Sequence, residues 1–404
     1  MILFTFLGAG SYNETTYTLG EEKRVSCYSP AAAAHLLHVT SVTAFLTDEA
    51  EAIHREGLEQ ALPDGCQLKC VHIPYGRNEN EFWEIFHALS QEASYAGDQA
   101  WDVTHGFRSL PLLSMLTLTF LRSGLGIKPV RVLYSLYEKN ADSCPMIDLA
   151  PMLNLMDWAS AADTFTRSGD SRPLASILNN IRNGFMREGP KTKQQQIEMA
   201  PVTDLAATME DLSMSLALLR PSLITDAAKK LHAVLPDSEK ALEFSSRTHP
   251  ISLLLPRIGS AYKPLVLEDG SISSQLASWL NLIGWYIDRG YYAQAATLER
   301  EWLISWLMER KGKKELLLNV EDREAMARIL TREADDFIRS KKEPVELADI
   351  PNIRNIFGPW KGFFEIRNDL DHAGMRPQSK PPAAIIATIE RTFAMLKNLP
   401  LEVE

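Results

Sequence analysis

The sequence predicts an α/β domain over residues 1–150 followed by an all-helical region that runs to the C-terminus. Three observations carry this. Short apolar, β-rich runs alternate with amphipathic segments up to about residue 150. The intervening helical segments are mostly ten residues or longer, the length a parallel crossover needs. After Pro151 the strand-type alternation stops, while apolar residues keep recurring at helical spacing.

Each element has a local reason. Residues 2–7 (ILFTFL) form an apolar run ended by Gly8-Ala9-Gly10, as in a buried strand. TTYTL and RVSCY flank a Gly-led turn and read as a hairpin. Ser29-Pro30 opens AAAAHLL, with Ser as the cap and Pro at the first helical position. SVTAFLT is the next strand; Asp48 caps a helix that runs to about Leu62 and is stopped by Pro63-Asp64-Gly65. LKCVHI is a strand, NEFWEIFHALSQEA an amphipathic helix, and AWDVT a strand. FRSLPLLSMLTLTFLRSG is a mostly apolar helix and PVRVLYSLY the final strand. Strands joined by helices of this length give a parallel, doubly wound, Rossmann-like sheet covered on both faces. Beyond it, a helical connecting region over 151–260 contains a Pro-rich, irregular stretch (PDSEKALEFSSRTHPISLLLPRIG) that marks a sub-boundary near 235–260. Residues 261–404 form a second helical domain.

Composition narrows the function classes. A chain of 404 residues with 45% hydrophobic and 23% charged residues can bury two or three cores, so extensive disorder is not expected. No apolar run reaches the ~18 residues of a membrane span. MILFTFLGAGSY lacks a basic region and a cleavage site, and reads as a strand instead of a signal peptide. Cys27, Cys66, Cys70 and Cys144 show no metal-type pairing, which fits reduced thiols in a cytoplasm. The net charge of −10 disfavours a generally basic nucleic-acid binder and leaves room for a local basic cleft.

Two loops of the sheet domain can carry ligand chemistry, because ligands of doubly wound sheets sit beyond the C-terminal strand ends. The first is Gly8-Ala9-Gly10-Ser11-Tyr12-Asn13, where glycines permit close approach and Ser11 and Asn13 donate hydrogen bonds. The third glycine of a dinucleotide fingerprint is absent, and a tight turn is the alternative reading. The second is Asp102-Val103-Thr104-His105-Gly106-Phe107-Arg108, a strand-to-helix junction whose following helix offers free N–H groups, with Arg108 adding charge. Capping and packing are the competing roles there.

The helical region holds Arg367-Asn368-Asp369-Leu370-Asp371-His372, an R-N-x-x-x-H pattern. Arg367 and Asp371 stand i,i+4 and can form a surface ion pair. Asn368 and His372 are also i,i+4, and Phe357, Trp360, Phe363 and Phe364 point to a docked helix. Arg, Asn and His together suit phosphodiester chemistry: Arg stabilises phosphoryl charge and His exchanges a proton near neutral pH. No acidic cluster with metal-ligand spacing accompanies them, so the expected chemistry is metal-independent.

The D-x-T-H-G motif (Asp102, Thr104, His105, Gly106) on a sheet domain, followed by R-N-x-x-x-H on a helical one, resembles the CRISPR-associated CARF–HEPN ribonucleases of type III systems, in their D-x-T-H-G subgroup. Leu7-Gly8-Ala9-Gly10, the helix from Trp158 to Ala162, and the helix with Tyr292 to Ala295 and Arg300 to Trp302 extend the likeness over nearly the whole chain. The resemblance implies an N-terminal CARF domain and a C-terminal HEPN domain in a cytoplasmic homodimer, with assembly beyond the dimer left open. It also implies a cyclic oligoadenylate activator, a single-stranded RNA substrate, and no cofactor or metal. Arg367, Asn368 and His372 match the catalytic HEPN positions. Gly8, Gly10, Ser11, Tyr12, Asn13, Thr104, His105, Gly106 and Arg108 match the places where CARF domains hold their ligand. The acidic net charge departs from what RNA attraction requires, although Arg310-Lys311-Gly312-Lys313-Lys314 offers a local basic cluster or a solvated loop. Two alternatives stand beside this reading: a sensor whose helical half binds a partner or DNA without catalysis, and a CARF domain that degrades its own activator through Ser11 or His105.

Overall fold

The computed structural model describes residues 1–138, 141–187, 192–243, 248–267, 269–375, 377 and 379–401. They fall into two compact units, Met1–Trp158 and Ala159–Glu404.

The first unit is an eight-stranded sheet with helices on both faces. In chain order it contains β1 (Ile2–Phe6), β2 (Thr15–Leu19), β3 (Glu22–Ser26), α1 (Ser29–Leu36), β4 (Ser41–Leu46), α2 (Asp48–Ala61), β5 (Gln67–His72), α3 (Glu79–Ser94), β6 (Gln99–Asp102), α4 (Ser109–Leu125), β7 (Arg131–Ser135) and β8 (Cys144–Asp148). The strand order is β3-β2-β8-β7-β6-β1-β4-β5. The pairings β5–β4, β4–β1, β1–β6 and β6–β7 are parallel. β7–β8 and β2–β3 are antiparallel, and β2 joins β8 in parallel. The period-2 alternation of strands separates two cores. Leu3 and Leu7, with Val42, Ala44 and Leu46, pack under α1 and α2, whereas Phe4, Phe6, Phe45 and Trp101 pack under α3 and α4. Ala31 to Ala34 are fully buried, so the small side chains of α1 let its backbone lie close to the sheet.

The sheet differs from expectation in three places. β7 is not the last strand: β8 returns antiparallel beside it and makes the sheet mixed. Its alternating burial, with Cys144 and Met146 inside and Pro145 and Ile147 outside, is the one-sided pattern of an edge hairpin and not an apolar run. Ser29 does not cap α1; it is the first helical residue after Tyr28, which makes no side-chain cap. The cap of α2 is Thr47, whose side chain accepts from the Ala50 N–H, so Asp48 instead contributes its charge to the first turn.

The second unit is helical throughout its described residues: α5 (Asn154–Ser168, begun in the first unit), α6 (Arg172–Arg187), α7 (Lys193–Ala217), α8 (Pro221–Glu243), α9 (His249–Ser252), α10 (Leu255–Tyr262), α11 (Ile272–Asp288), α12 (Tyr292–Arg310), α13 (Val320–Ser340), α14 (Arg354–Asp371) and α15 (Pro382–Lys397). Residues 244–247 of the stretch expected to be irregular lie outside the described residues, and its described part is mostly helix: α8 continues through Pro236 to Glu243, and α9 and α10 follow. Apolar residues on the buried side, among them Leu231, Leu235 and Leu242, outweigh the proline. α12 is buried around most of its circumference and packs with α11, α13, α14 and α15. Its Trp302 and Trp306 indole N–H groups donate to the carbonyls of Leu276 and Pro400. Among the described residues no helix is long and apolar enough to cross a membrane.

Candidate functional site

The glycine loop and the D-x-T-H-G loop follow β1 and β6, which are neighbours in the sheet. β1 has β4 and β5 on one side and β6 and β7 on the other, so these loops meet at the topological switch point. They abut: a Cβ on Gly8 would lie 3.7 Å from Gly106 Cα.

Asp102, fully buried at the end of β6, organises the junction. Its Oδ1 accepts from the Thr104 N–H (3.2 Å), the Thr104 hydroxyl (2.5 Å) and the Ser29 hydroxyl (3.2 Å), and its Oδ2 accepts from the Thr5 hydroxyl (3.3 Å). Thr104 Oγ1 in turn accepts from the Ser135 N–H (2.9 Å), and Ser135 Oγ lies 2.8 Å from Ser29 Oγ. Burial pushes the Asp102 carboxyl up to about 6 against these hydrogen bonds, which pull it down. The Ser29 hydroxyl thus serves the sheet, not its own helix. The Thr104 side chain is committed inward, tying the loop to Asp102 and Ser135.

His105 is half-buried, and its Nε2 accepts from the Ser29 N–H (3.4 Å), which leaves its proton on Nδ1. Desolvation, with help from nearby His54, lowers its pKa to about 4, so it is neutral at pH 7. The Tyr12 ring lies 4.2 Å from His105 and 4.9 Å from His54. Tyr12 also folds the glycine loop onto itself, because the Gly8 N–H donates to its oxygen (2.8 Å) and its hydroxyl donates to the Gly8 carbonyl (3.2 Å). His54 Nε2 donates to the Gly10 carbonyl (2.8 Å), so Nδ1 is free to accept from the Tyr28 hydroxyl (3.3 Å). Ser11, Asn13 and Arg108 stand exposed at the rim, and Arg108 is the residue before α4. The result is a polar, aromatic-walled cradle beside the start of α4; the expected run of free N–H groups is not there, because the Leu110 N–H donates to the Phe107 carbonyl and Pro111 has none, so Arg108 is the group placed to meet a phosphate. Sequence reading missed Ser29, Tyr28, His54 and Ser135. Only His54 carried a signal: it shares the buried stripe of α2 with Ala50 and Leu58.

Gly106 has φ +97, and a Cβ there would stand 2.8 Å from Leu110 Cδ1 and 3.1 Å from Phe6 Cβ. Gly106→Ala is expected to cost about 2 kcal/mol of stability, read as a lowered urea midpoint. An unchanged midpoint would show that the loop relaxes freely.

In the second unit, Arg367, Asn368 and His372 close α14. The helix ends at Asp371, and Ala373 and Gly374 follow at φ 51 and 69. Arg367 is ion-paired with Asp371 at 3.1 Å, while Asn368 and His372 are exposed. Asp369 is buried and accepts from the Lys380 N–H (3.0 Å), which pins the following turn. Phe357, Trp360 and Phe363 are buried, and Trp360 donates to Thr331 Oγ1 (3.2 Å), which docks α14 on α13; Phe364 is partly exposed. In the basic segment, Arg310 lies 4.7 Å over the Trp306 ring and Lys311 pairs with Asp349, so both serve packing.

Residues 154–263, spanning α5 to α10, match the family described as CRISPR-associated protein MJ1674, second domain. By sequence, this segment is similar to a CRISPR-associated domain. CRISPR-associated protein MJ1674 of Methanocaldococcus jannaschii is 30% identical over 117 residues, which are 28% of this chain and 18% of that protein. The chain thus matches less than a fifth of that relative's length. Both candidate sites lie outside the MJ1674-like segment.

Proposed function

We propose that the protein is a CRISPR-associated endoribonuclease that a cyclic oligoadenylate switches on. The observation that supports this most directly is the pairing, in one chain, of a nucleotide cradle at the sheet's switch point with an Arg/Asn/His set at the solvent-facing end of α14. The likeness of the segment between them to a CRISPR-associated domain agrees with it. Gly8, Gly10, Tyr12 and His105 hold the activator, with Ser11, Asn13 and Arg108 at the rim. The active form is a homodimer. On α4, Leu112, Leu116 and Phe120 stand one turn apart with 67%, 57% and 52% exposure, an apolar stripe that starts beside the D-x-T-H-G loop. A two-fold axis along that stripe brings two cradles to one symmetric cyclic anion.

In the RNA reaction the 2′-hydroxyl attacks the adjacent phosphorus, its proton is removed, and the 5′-oxygen leaves protonated. The products are a 2′,3′-cyclic phosphate and a 5′-hydroxyl. Arg367 stabilises the charge that builds on the phosphoryl oxygens, His372 moves the proton, and Asn368 positions both. The test incubates the full chain with a fluorescent single-stranded RNA and each cyclic oligoadenylate. Cleavage is expected with one ring size, to persist in excess EDTA, and to leave 5′-hydroxyl ends. His105→Ala is expected to weaken activator binding about tenfold or more. Activator binding without cleavage would favour a non-catalytic sensor. Loss of cleavage in EDTA with rescue by magnesium would overturn the mechanism.

A further inference from the structure

Ile356, Phe357, Trp360, Phe363 and Ile366 bury the docked face of α14. Phe364, expected to dock with them, does not. It is 42% exposed, and on α14 and α15 it is the one large apolar side chain left in the open.

The ring is held where it stands. It follows Trp360 by four residues and lies 6.2 Å from that indole at 45°. Trp360 is buried and its N–H donates to Thr331 Oγ1 (3.2 Å), so Phe364 leans on an anchored neighbour.

Its position along α14 decides what it can meet. Phe364 and Asn368 are i,i+4, which sets them about 40° apart around the axis and about 6 Å along it. Asn368 and His372 are i,i+4 in turn, so ring, amide and imidazole follow one another along one exposed edge to the helix end. The other polar groups of these turns are committed. Lys361 pairs with Asp335, Arg367 pairs with Asp371, and Asp369 accepts from the Lys380 N–H. The Asn368 amide and the His372 ring have no partner among the described residues. Charged side chains also flank the ring, Lys361 three residues before it and Glu365 one after. The core of a protein–protein contact is depleted of charge, which disfavours a second copy as the cover. A base needs only an open ring face, and that face is free.

We propose that Phe364 stacks on a base beside the scissile phosphate of the RNA, so that the strand runs along α14 from Phe364 past Asn368 to His372. This rests on the ribonuclease reading of the helix end and adds the residue that sets the register of the strand. Phosphate contacts alone hold a strand equally well one nucleotide up or down, whereas a stacked base fixes its place and tolerates any base identity.

The test uses the full chain with a fluorescent single-stranded RNA and the cyclic oligoadenylate that supports cleavage. Phe364→Ala is expected to raise KM about tenfold and to keep kcat within about threefold, because the stack is made equally in ground and transition states. Phe364→Trp should restore the wild-type KM. Phe364→Leu, apolar but without a ring face, should behave like Phe364→Ala, and all three should melt close to wild type. An RNA abasic at the stacked nucleotide should raise the wild-type KM about tenfold and make no further difference to Phe364→Ala. Affinity of the His372→Ala chain for the same RNA, read by anisotropy, separates the two possible failures. If that chain binds no RNA, the ribonuclease reading falls and takes this proposal with it. If it binds RNA, and adding Phe364→Ala leaves the affinity unchanged, the stacking alone is overturned. Full rescue by Phe364→Leu, or conversion of a homodimer to monomers by Phe364→Ala in light scattering, also overturns it, the latter by assigning the ring to a contact between copies.

Discussion

His372→Ala is expected to lower RNA cleavage by about a thousandfold or more, and Arg367→Ala by a similar factor, because proton transfer and phosphoryl charge stabilisation each supply effects of that order. The His372 side chain does not support the fold, and Arg367 does so only at the end of α14. His372 is exposed beyond the last turn of α14, and Arg367, 29% exposed, pairs with Asp371, so His372→Ala should retain wild-type melting, Arg367→Ala should lower it slightly, and both should keep activator affinity. The backbone geometry makes the composite-site hypothesis specific. Five residues along a helix subtend about 140° around its axis, so one straight helix would aim Arg367 and His372 apart. The helix ends at Asp371 and the chain turns through positive φ at Ala373 and Gly374, which frees His372 from the helical direction. Two such ends meeting at a two-fold axis place two sets in one cleft. A chain with Arg367→Ala mixed with one carrying His372→Ala should then recover part of the activity, and a wild-type chain paired with the double mutant should lose most of it. Strong activity of that last pair would overturn the shared cleft.

Asp102→Ala is expected to cost about 3 kcal/mol and to abolish activator binding, because the Thr5, Ser29 and Thr104 hydroxyls and the Thr104 N–H lose their common acceptor inside the sheet. Asp102→Asn separates charge from shape. Asn keeps an oxygen for the three donors on Oδ1 and turns its amide toward Thr5 Oγ1, which can accept. The carboxyl's pKa rises from 3.8 to about 6 on folding through burial. The native state therefore binds the extra proton between these values, and the stability of the acid form is full below pH 3.8 and lost as pH rises through about 6. At about 1.4 kcal/mol per pKa unit, wild type should lose about 3 kcal/mol relative to Asp102→Asn between pH 3.8 and 7. Parallel stability curves for the two proteins would contradict the buried-charge account. Thr104→Ala should share the loss in part, since Thr104 Oγ1 links Asp102 to the Ser135 N–H.

Local chemistry explains what was legible. The β1 and β4 runs, the polyalanine of α1 and the apolar stripes of the later helices are set by period and propensity within a few residues, so the order of elements and the change from α/β to α could be read directly. The same holds for the positions of both motifs, since each sits where a strand or helix ends. β8 escaped because a one-sided edge strand of five residues, with Pro145 inside it, has no apolar run to announce it. The helix through Pro236 escaped because its tertiary burial overrides a local breaker.

By itself, then, the sequence determined the two-part architecture and which loops and helix end carry polar, phosphate-suited side chains. Only the tertiary structure decided what those side chains do. It turned Ser29 from a helix cap into a partner of Asp102, brought His54 from α2 onto the Gly10 carbonyl, turned Thr104 inward and set His105 against Tyr12 and the Ser29 N–H. The physical reason is that a buried hydrogen bond is set by which atoms the fold leaves without water. The partners here are separated by 44 residues (His54 and Gly10) and 73 residues (Ser29 and Asp102), distances over which sequence spacing carries no information.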